Sequence, residues 1–131
     1  NIIEPISEGL IRVFKDGYGF IDSKGNVIIP LQYHYASNFK NGLALVQTIK
    51  IGFIDKTGKV IIPLEYDDGL GFNEGLSPLK KNGHWGYLDT KGNIVIEFKY
   101  EDANSFNNGT AFVKQNGEIF KIDKSGKKVS Q

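Results

Sequence analysis

His34 and His84 are the two histidines of this chain, and each stands in a turn or loop of a different stretch of sequence. A metal centre or a general base would need them to converge with other titratable groups. Kept apart as they are, they read as solvated loop side chains. Four aspartates raise a second possibility, since Asp22, Asp55, Asp89 and Asp123 each stand three residues before a glycine, namely Gly25, Gly58, Gly92 and Gly126. A calcium loop would supply alternating oxygen ligands, which these segments lack. Asp at the first position and Gly at the fourth instead suit a type I turn whose aspartate caps its own backbone. An acidic cluster follows in Glu65, Asp67 and Asp68, with Glu101 and Asp102 in a matching place. It could line an edge that draws a cation or a basic partner, although charged runs are usually solvated faces. No catalytic residue, metal ligand or cofactor site is expected.

Aromatic side chains are the remaining chemistry, with 9 Phe, 6 Tyr and 1 Trp to choose from. Rings that recur at a fixed place in a repeat are there for packing, so Tyr33, Tyr66, Tyr100, Phe39, Phe72 and Phe106 are expected in the core. Rings that do not recur are the candidates for binding: Tyr18, Tyr35, Phe112 and Trp85. Trp85 shares its slot with Tyr18, Ile51 and Ile119, an apolar slot expected to be buried, and it stays among the candidates on chemistry alone. The candidate binding set is therefore Tyr35, His34, Tyr18, Trp85, Phe112, Asp67 and Asp68.

The elements that must position these residues are written in a period. The four turn aspartates fall 33, 34 and 34 residues apart, and Gly9, Gly42, Gly75 and Gly109 keep step. Aligning 19–46 with 52–79 gives 14 identities in 28 positions, which marks duplication. Each copy reads as three short strands. The first is Leu43-Ala44-Leu45-Val46 and its equivalents, with the second and fourth residues facing a core. Pro78 in the third copy's version predicts an edge or a bulge there. Asp16-Gly17, Asn82-Gly83 and Asn116-Gly117 then predict tight primed turns, and Thr48-Ile49-Lys50 a turn that is shorter or of another type. The second strand is Gly52-Phe53-Ile54-Asp55 and its counterparts. The third, Val27-Ile28-Ile29-Pro30 and its counterparts, is apolar throughout and so expected to be covered on both faces. In the return segment Tyr33, Ala36 and Phe39 are spaced by three, which predicts a 3₁₀ turn.

The aromatic-Gly-aromatic-Ile-Asp run, the turn, the aliphatic strand ending Ile-Pro, the Tyr and the Phe-x-x-Gly-Leu-Ala segment together resemble the WG-repeat family of bacterial β-repeat proteins. His84-Trp85-Gly86-Tyr87-Leu88-Asp89 carries the Trp-Gly pair, while Tyr18-Gly19, Ile51-Gly52 and Ile119-Phe120 fill the same slot elsewhere. The resemblance implies an interaction module with no catalytic residues.

The expected fold is all-β: one array over 1–131, with a partial copy at 1–8, copies at 9–41, 42–74 and 75–108, and a degenerate cap at 109–131. Each copy is a three-stranded antiparallel meander, stacked in an elongated solenoid-like array; a closed four-blade toroid is the alternative, disfavoured because propeller blades use four strands and longer repeats. The chain begins at Asn and has no Met, so it is expected to be a piece of a larger protein, a bacterial one as the resemblance implies. With 16 Lys and Arg against 15 Asp and Glu, a nucleic-acid partner is not expected. The longest apolar runs are far short of the about 20 residues that insert into a membrane. There is no cysteine, so no disulfide constrains the compartment; the location is left open, with a secreted or cell-surface one preferred. A protein partner is expected first, a glycan or cell-envelope polymer second, and self-association through a sheet edge is allowed.

Overall fold

The computed structural model describes residues 6–129, so part of the 1–8 copy and the last two residues of the cap lie outside the described residues. All its regular structure is β. The first copy contributes β1 (Ile11–Phe14), β2 (Tyr18–Ile21) and β3 (Val27–Tyr33) as a meander. The second sheet has β4 (Tyr35–Ala36), β5 (Ala44–Gln47), β6 (Ile51–Ile54) and β7 (Val60–Tyr66) in that order. The third has β8 (Asp68–Gly69), β9 (Leu76–Lys81), β10 (His84–Asp89) and β11 (Ile94–Tyr100), and the fourth β12 (Asp102–Ala103), β13 (Thr110–Gln115) and β14 (Glu118–Asp123). The tandem meander is as the period requires, with one addition: a two-residue strand from the end of each copy joins the sheet of the next.

That extra strand replaces the expected 3₁₀ turn. The His34 N–H donates to the Gln47 carbonyl at 2.9 Å and the Ser37 N–H to the Leu45 carbonyl at 2.9 Å. With both donors taken by the neighbouring strand, the local bonds of a 3₁₀ turn cannot form. The three-residue spacing of Tyr33, Ala36 and Phe39 is instead produced by a strand, a kink and a second strand, and all three residues are buried.

Each recurring turn aspartate folds its own loop. Gly25 N–H donates to the Asp22 carbonyl at 3.1 Å, while the N–H groups of Lys24 and Asn26 donate to Asp22 Oδ1 at 2.9 Å. Asp55, Asp89 and Asp123 repeat the arrangement. The hairpin turns are less uniform. Asn82-Gly83 and Asn116-Gly117 have two residues in the loop and positive φ at both, as primed turns need. Asp16-Gly17 does not follow them: the loop has three residues, Lys15 to Gly17, and among these only Asp16 has positive φ. Thr48-Ile49-Lys50 is likewise a three-residue loop, so of the two alternatives it is of another type and not shorter.

The glycine of the aromatic-Gly-aromatic run is required by a bulge in the strand beside it. Register between β2 and β3 runs Tyr18 to Tyr33 but Phe20 to Ile29, so β3 has extra residues around Pro30 and Leu31. A Cβ on Gly19 would stand 2.5 Å from the Ile29 carbonyl oxygen and 2.8 Å from the Leu31 Cα. Gly52 meets Ile62 and Leu64 in the same way, and Gly86 meets Ile96 and Phe98. The bulge also explains how Pro30 and Pro63 sit inside strands, since bulged residues need not donate to the ladder. In the cap the slot holds Phe120, and there the third strand is reduced to a bridge from Ile122 to Lys128.

Two expectations about exposure are corrected. The third strands are sheet edges, covered on one face only: Ile29, Ile62 and Ile96 are buried, while Val27, Ile28, Val60, Ile94 and Val95 are exposed. Pro78, in contrast, lies in β9, which pairs on both sides and has no bulge against β10. It is tolerated because β8 ends at Gly69. Leu70 N–H donates to the Pro78 carbonyl at 3.0 Å, and the Ser77 hydroxyl donates to the Leu70 carbonyl at 2.6 Å.

The chain forms two compact units, 1–65 and 66–131, each with its own core. Phe20, Ile29, Tyr33, Phe39, Val46 and Ile54 belong to the core of the first, and Tyr87, Ile96, Tyr100, Phe106, Val113 and Ile122 to that of the second. Burying one such Phe contributes about 1.5–3 kcal/mol relative to leaving it in water. Within each unit a glutamate staples one copy to the next. Glu8 Oε1 accepts the Gly42 N–H at 3.0 Å and lies 3.6 Å from Lys56 Nζ. Glu74 accepts the N–H groups of Asn108 and Gly109 at 2.7 and 3.0 Å and lies 3.5 Å from Lys124 Nζ. The signal is present in the sequence: Glu8, Asn41, Glu74 and Asn108 alternate in one slot, and the turns alternate between Asp-Ser/Thr-Lys-Gly and Asp-Lys-Thr/Ser-Gly. The repeat is therefore a doubled pair.

Candidate functional site

In the first unit Tyr18 and Tyr35 come together, their ring centroids 5.7 Å apart in an edge-to-face arrangement at 64°. Phe14, absent from the sequence-derived set, completes the group at 4.8 Å from Tyr18 and 50° to it. β1 and β2 bring Phe14 and Tyr18 opposite each other as a cross-strand pair, and β4 brings Tyr35. The Arg12 guanidinium lies 5.6 Å from the Tyr18 ring centroid and donates through Nη1 to the Ala36 carbonyl at 2.8 Å, fastening the β1–β2 hairpin to β4. Tyr18 is half-buried, Phe14 is 64% exposed and Tyr35 41% exposed. The result is a ledge with Tyr18 as its floor and two outward rings. His34, next to Tyr35, is also exposed.

The other copies serve as an internal control on this ledge. The Phe14 slot holds Gln47, Lys80 and Lys114 in the other three copies, and the Tyr35 slot holds Asp68 and Asp102. Those aspartates have a local use: Asp68 Oδ1 accepts the Gly69 N–H at 2.8 Å and Asp102 Oδ1 the Ala103 N–H at 2.9 Å. Tyr35 forgoes that cap. The fold thus has no need of a ring at either slot. This comparison between copies was the available signal for Phe14, and reading each strand by its core-facing positions passed over it.

The remaining candidates belong to the second unit and are not gathered. Trp85 is 8% exposed, packed in the second core, and offers no outward face. Its ring is a packing element, gathered into the second core with Tyr87, Tyr100 and Phe106. Asp67 Oδ2 accepts the Asn82 N–H at 3.3 Å, and Glu101 Oε1 accepts the Gly117 N–H at 3.0 Å, so these carboxylates cap hairpin turns. Phe112 is 48% exposed beside a shallow depression lined by Ala103, Asn104, Lys114 and Ile119, with Lys121 Nζ 5.1 Å from its ring centroid. His84 is exposed at the start of β10.

The electrostatics follow the turns. Asp22 is held below the ordinary carboxylate range chiefly by the Asn26 side chain, Asp55 by the Thr57 hydroxyl, Asp89 by the Asn93 N–H and Asp123 by the Ser125 hydroxyl. Glu74 is lowered chiefly by the Gly109 N–H. Burial pushes the Tyr87 phenol up, and Tyr100 moves the same way for the same reason. Tyr87 donates its O–H to the Asn104 carbonyl at 2.6 Å. These shifts arise at folding contacts. Among the described residues no three His, Asp or Glu side chains gather as a cation site.

A family model described as "WG containing repeat" matches the chain in three successive stretches, residues 18–48, 51–84 and 85–118. No curated protein matches it.

Proposed function

Because this chain belongs to the WG containing repeat family, we propose that it works as a non-catalytic module that binds a protein partner, and that the ledge of Phe14, Tyr18 and Tyr35 is where it does so. The observation that carries the reading is the exposure of two rings at slots that the other copies fill with polar residues. Water-facing aromatics not needed by the fold are enriched where proteins meet, because a rigid ring buries much apolar area for little lost side-chain freedom. The repeat holds the three rings on adjoining strands, so the surface is organised before binding.

The test is a paired capture. The protein and its Phe14→Gln/Tyr35→Asp variant, which carries the residues that other copies use in these slots, are immobilised and exposed to matched lysate and envelope fractions. A discrete protein retained by the first and lost by the second supports the reading, provided the two melt alike. Equal retention by both, or retention of a polysaccharide displaced by free sugar, overturns it.

A further inference from the structure

The ledge has a shape and a charge that narrow the partner, and the argument rests on the protein-binding reading above. We infer that Phe14, Tyr18 and Tyr35 receive an extended, proline-rich segment flanked by acidic residues.

Ring orientation comes first. Phe14 and Tyr35 stand at 50° and 64° to Tyr18, so the outward surface is ridged. A sugar chain stacks best on a flat platform and needs fixed polar side chains to take up its hydroxyls. The guanidinium nearest the rings has Nη1 directed at the Ala36 carbonyl. A polyproline II segment asks for something else: ridges between which prolyl rings lodge, and few hydrogen bonds, because it is already ordered when free. That low ordering cost matters for a surface of three side chains.

Charge comes second. Arg12 touches the ledge and Lys15 follows Phe14, against Asp16 in the same turn. The surroundings of the rings are on balance cationic, which suits acidic residues at the ends of the bound segment.

The inference also accounts for which copy carries the site. In the copies where Tyr35 is replaced by Asp68 and Asp102, the carboxylate would both cap its own strand and repel such a segment. The first copy has exchanged that cap for a ring.

The experiment titrates the ¹⁵N-labelled 131-residue protein with decaproline bearing glutamates at both ends, with a Gly-Ser peptide of equal length and charge, and with cellohexaose. Saturable shifts confined to the amides of 12–18 and 34–36 with the proline peptide, weakened by about tenfold or more in Phe14→Gln/Tyr35→Asp, are expected. No saturation with the proline peptide, equal response to the Gly-Ser peptide, saturation by cellohexaose, or an unchanged affinity in the variant would overturn it. If the peptide fails while the variant still loses a captured protein, the partner class is wrong and the binding reading stands.

Discussion

The carbonyl oxygen of Ile62 lies 2.5 Å from the place where a Cβ on Gly52 would stand, closer than any side chain can approach. Gly52→Ala must therefore push the β7 bulge away from β6, and overpacking of this kind costs about 1–3 kcal/mol. Gly71→Ala is the control, since its Cβ would meet no atom within 4 Å and its φ is not positive. Urea denaturation of both variants is expected to show a large loss for the first and little change for the second.

Ser77→Ala removes the hydroxyl that serves the Leu70 carbonyl beside Pro78. Ser77 is fully buried, so the carbonyl loses its partner away from solvent, a loss of about 1–3 kcal/mol. Placing Pro78→Leu in the same chain, as the second copy has Leu45, restores an N–H on that side of β9. The serine substitution should then cost less, and a double-mutant cycle by denaturation reads the difference.

Lowered carboxylates make the protein sensitive to acid. Asp22, Asp55, Asp89, Asp123 and Glu74 all have folded-state values below their ordinary ones of 3.8 and 4.5, so they stabilise the fold above those values and cease to as pH falls through the lowered ones. Urea midpoints should be flat from neutrality to the ordinary carboxylate range and decline below it. For the four aspartates hydrogen bonds are the leading cause, so the decline is expected to persist in about 1 M salt, where surface ion pairs are screened.

Raised phenols predict the opposite limb. Tyr87 and Tyr100 have folded values above the ordinary 10.0, so the stability they confer is intact below it and is lost as pH rises toward the folded values. Absorbance titration should show late phenol ionisation that coincides with alkaline unfolding and is reduced in Tyr87→Phe. Tyr87→Phe also deletes the O–H donated to Asn104, with a loss of about 0.5–1.5 kcal/mol by denaturation at neutral pH.

Much of the fold was legible in the chain. A period of 33 or 34 residues, an aspartate with its glycine, and apolar residues alternating along short strands are signals whose physics is local: turn bonds within four residues and side chains on alternate faces. For the same reason Tyr33, Phe39 and their equivalents could be assigned to the core. The 3₁₀ expectation failed on the same ground, because the spacing of Tyr33, Ala36 and Phe39 was read locally while the N–H groups of His34 and Ser37 were bound by another strand. At the site, Tyr18 and Tyr35 were named from sequence and do meet. Trp85, named although its slot was expected to be buried, is buried, and Phe14 was missed because one strand in isolation does not tell which outward position adjoins another ring.

Sequence by itself determined the repeat, its aspartate turns and its recurring core aromatics, since each depends on neighbours along the chain. Only the tertiary structure decided the bulges that require Gly19, Gly52 and Gly86, the borrowing of a short strand by the next sheet, the glutamate staples from Glu8 and Glu74, and the ledge that joins Phe14 to Tyr35 through Tyr18. Apart from the Phe14–Tyr18 pair, these depend on groups 10 to 35 residues apart brought within a few ångströms. Contacts of that range are set by register and packing between strands, which the local pattern permits in more than one way and burial of each unit's own core resolves into one.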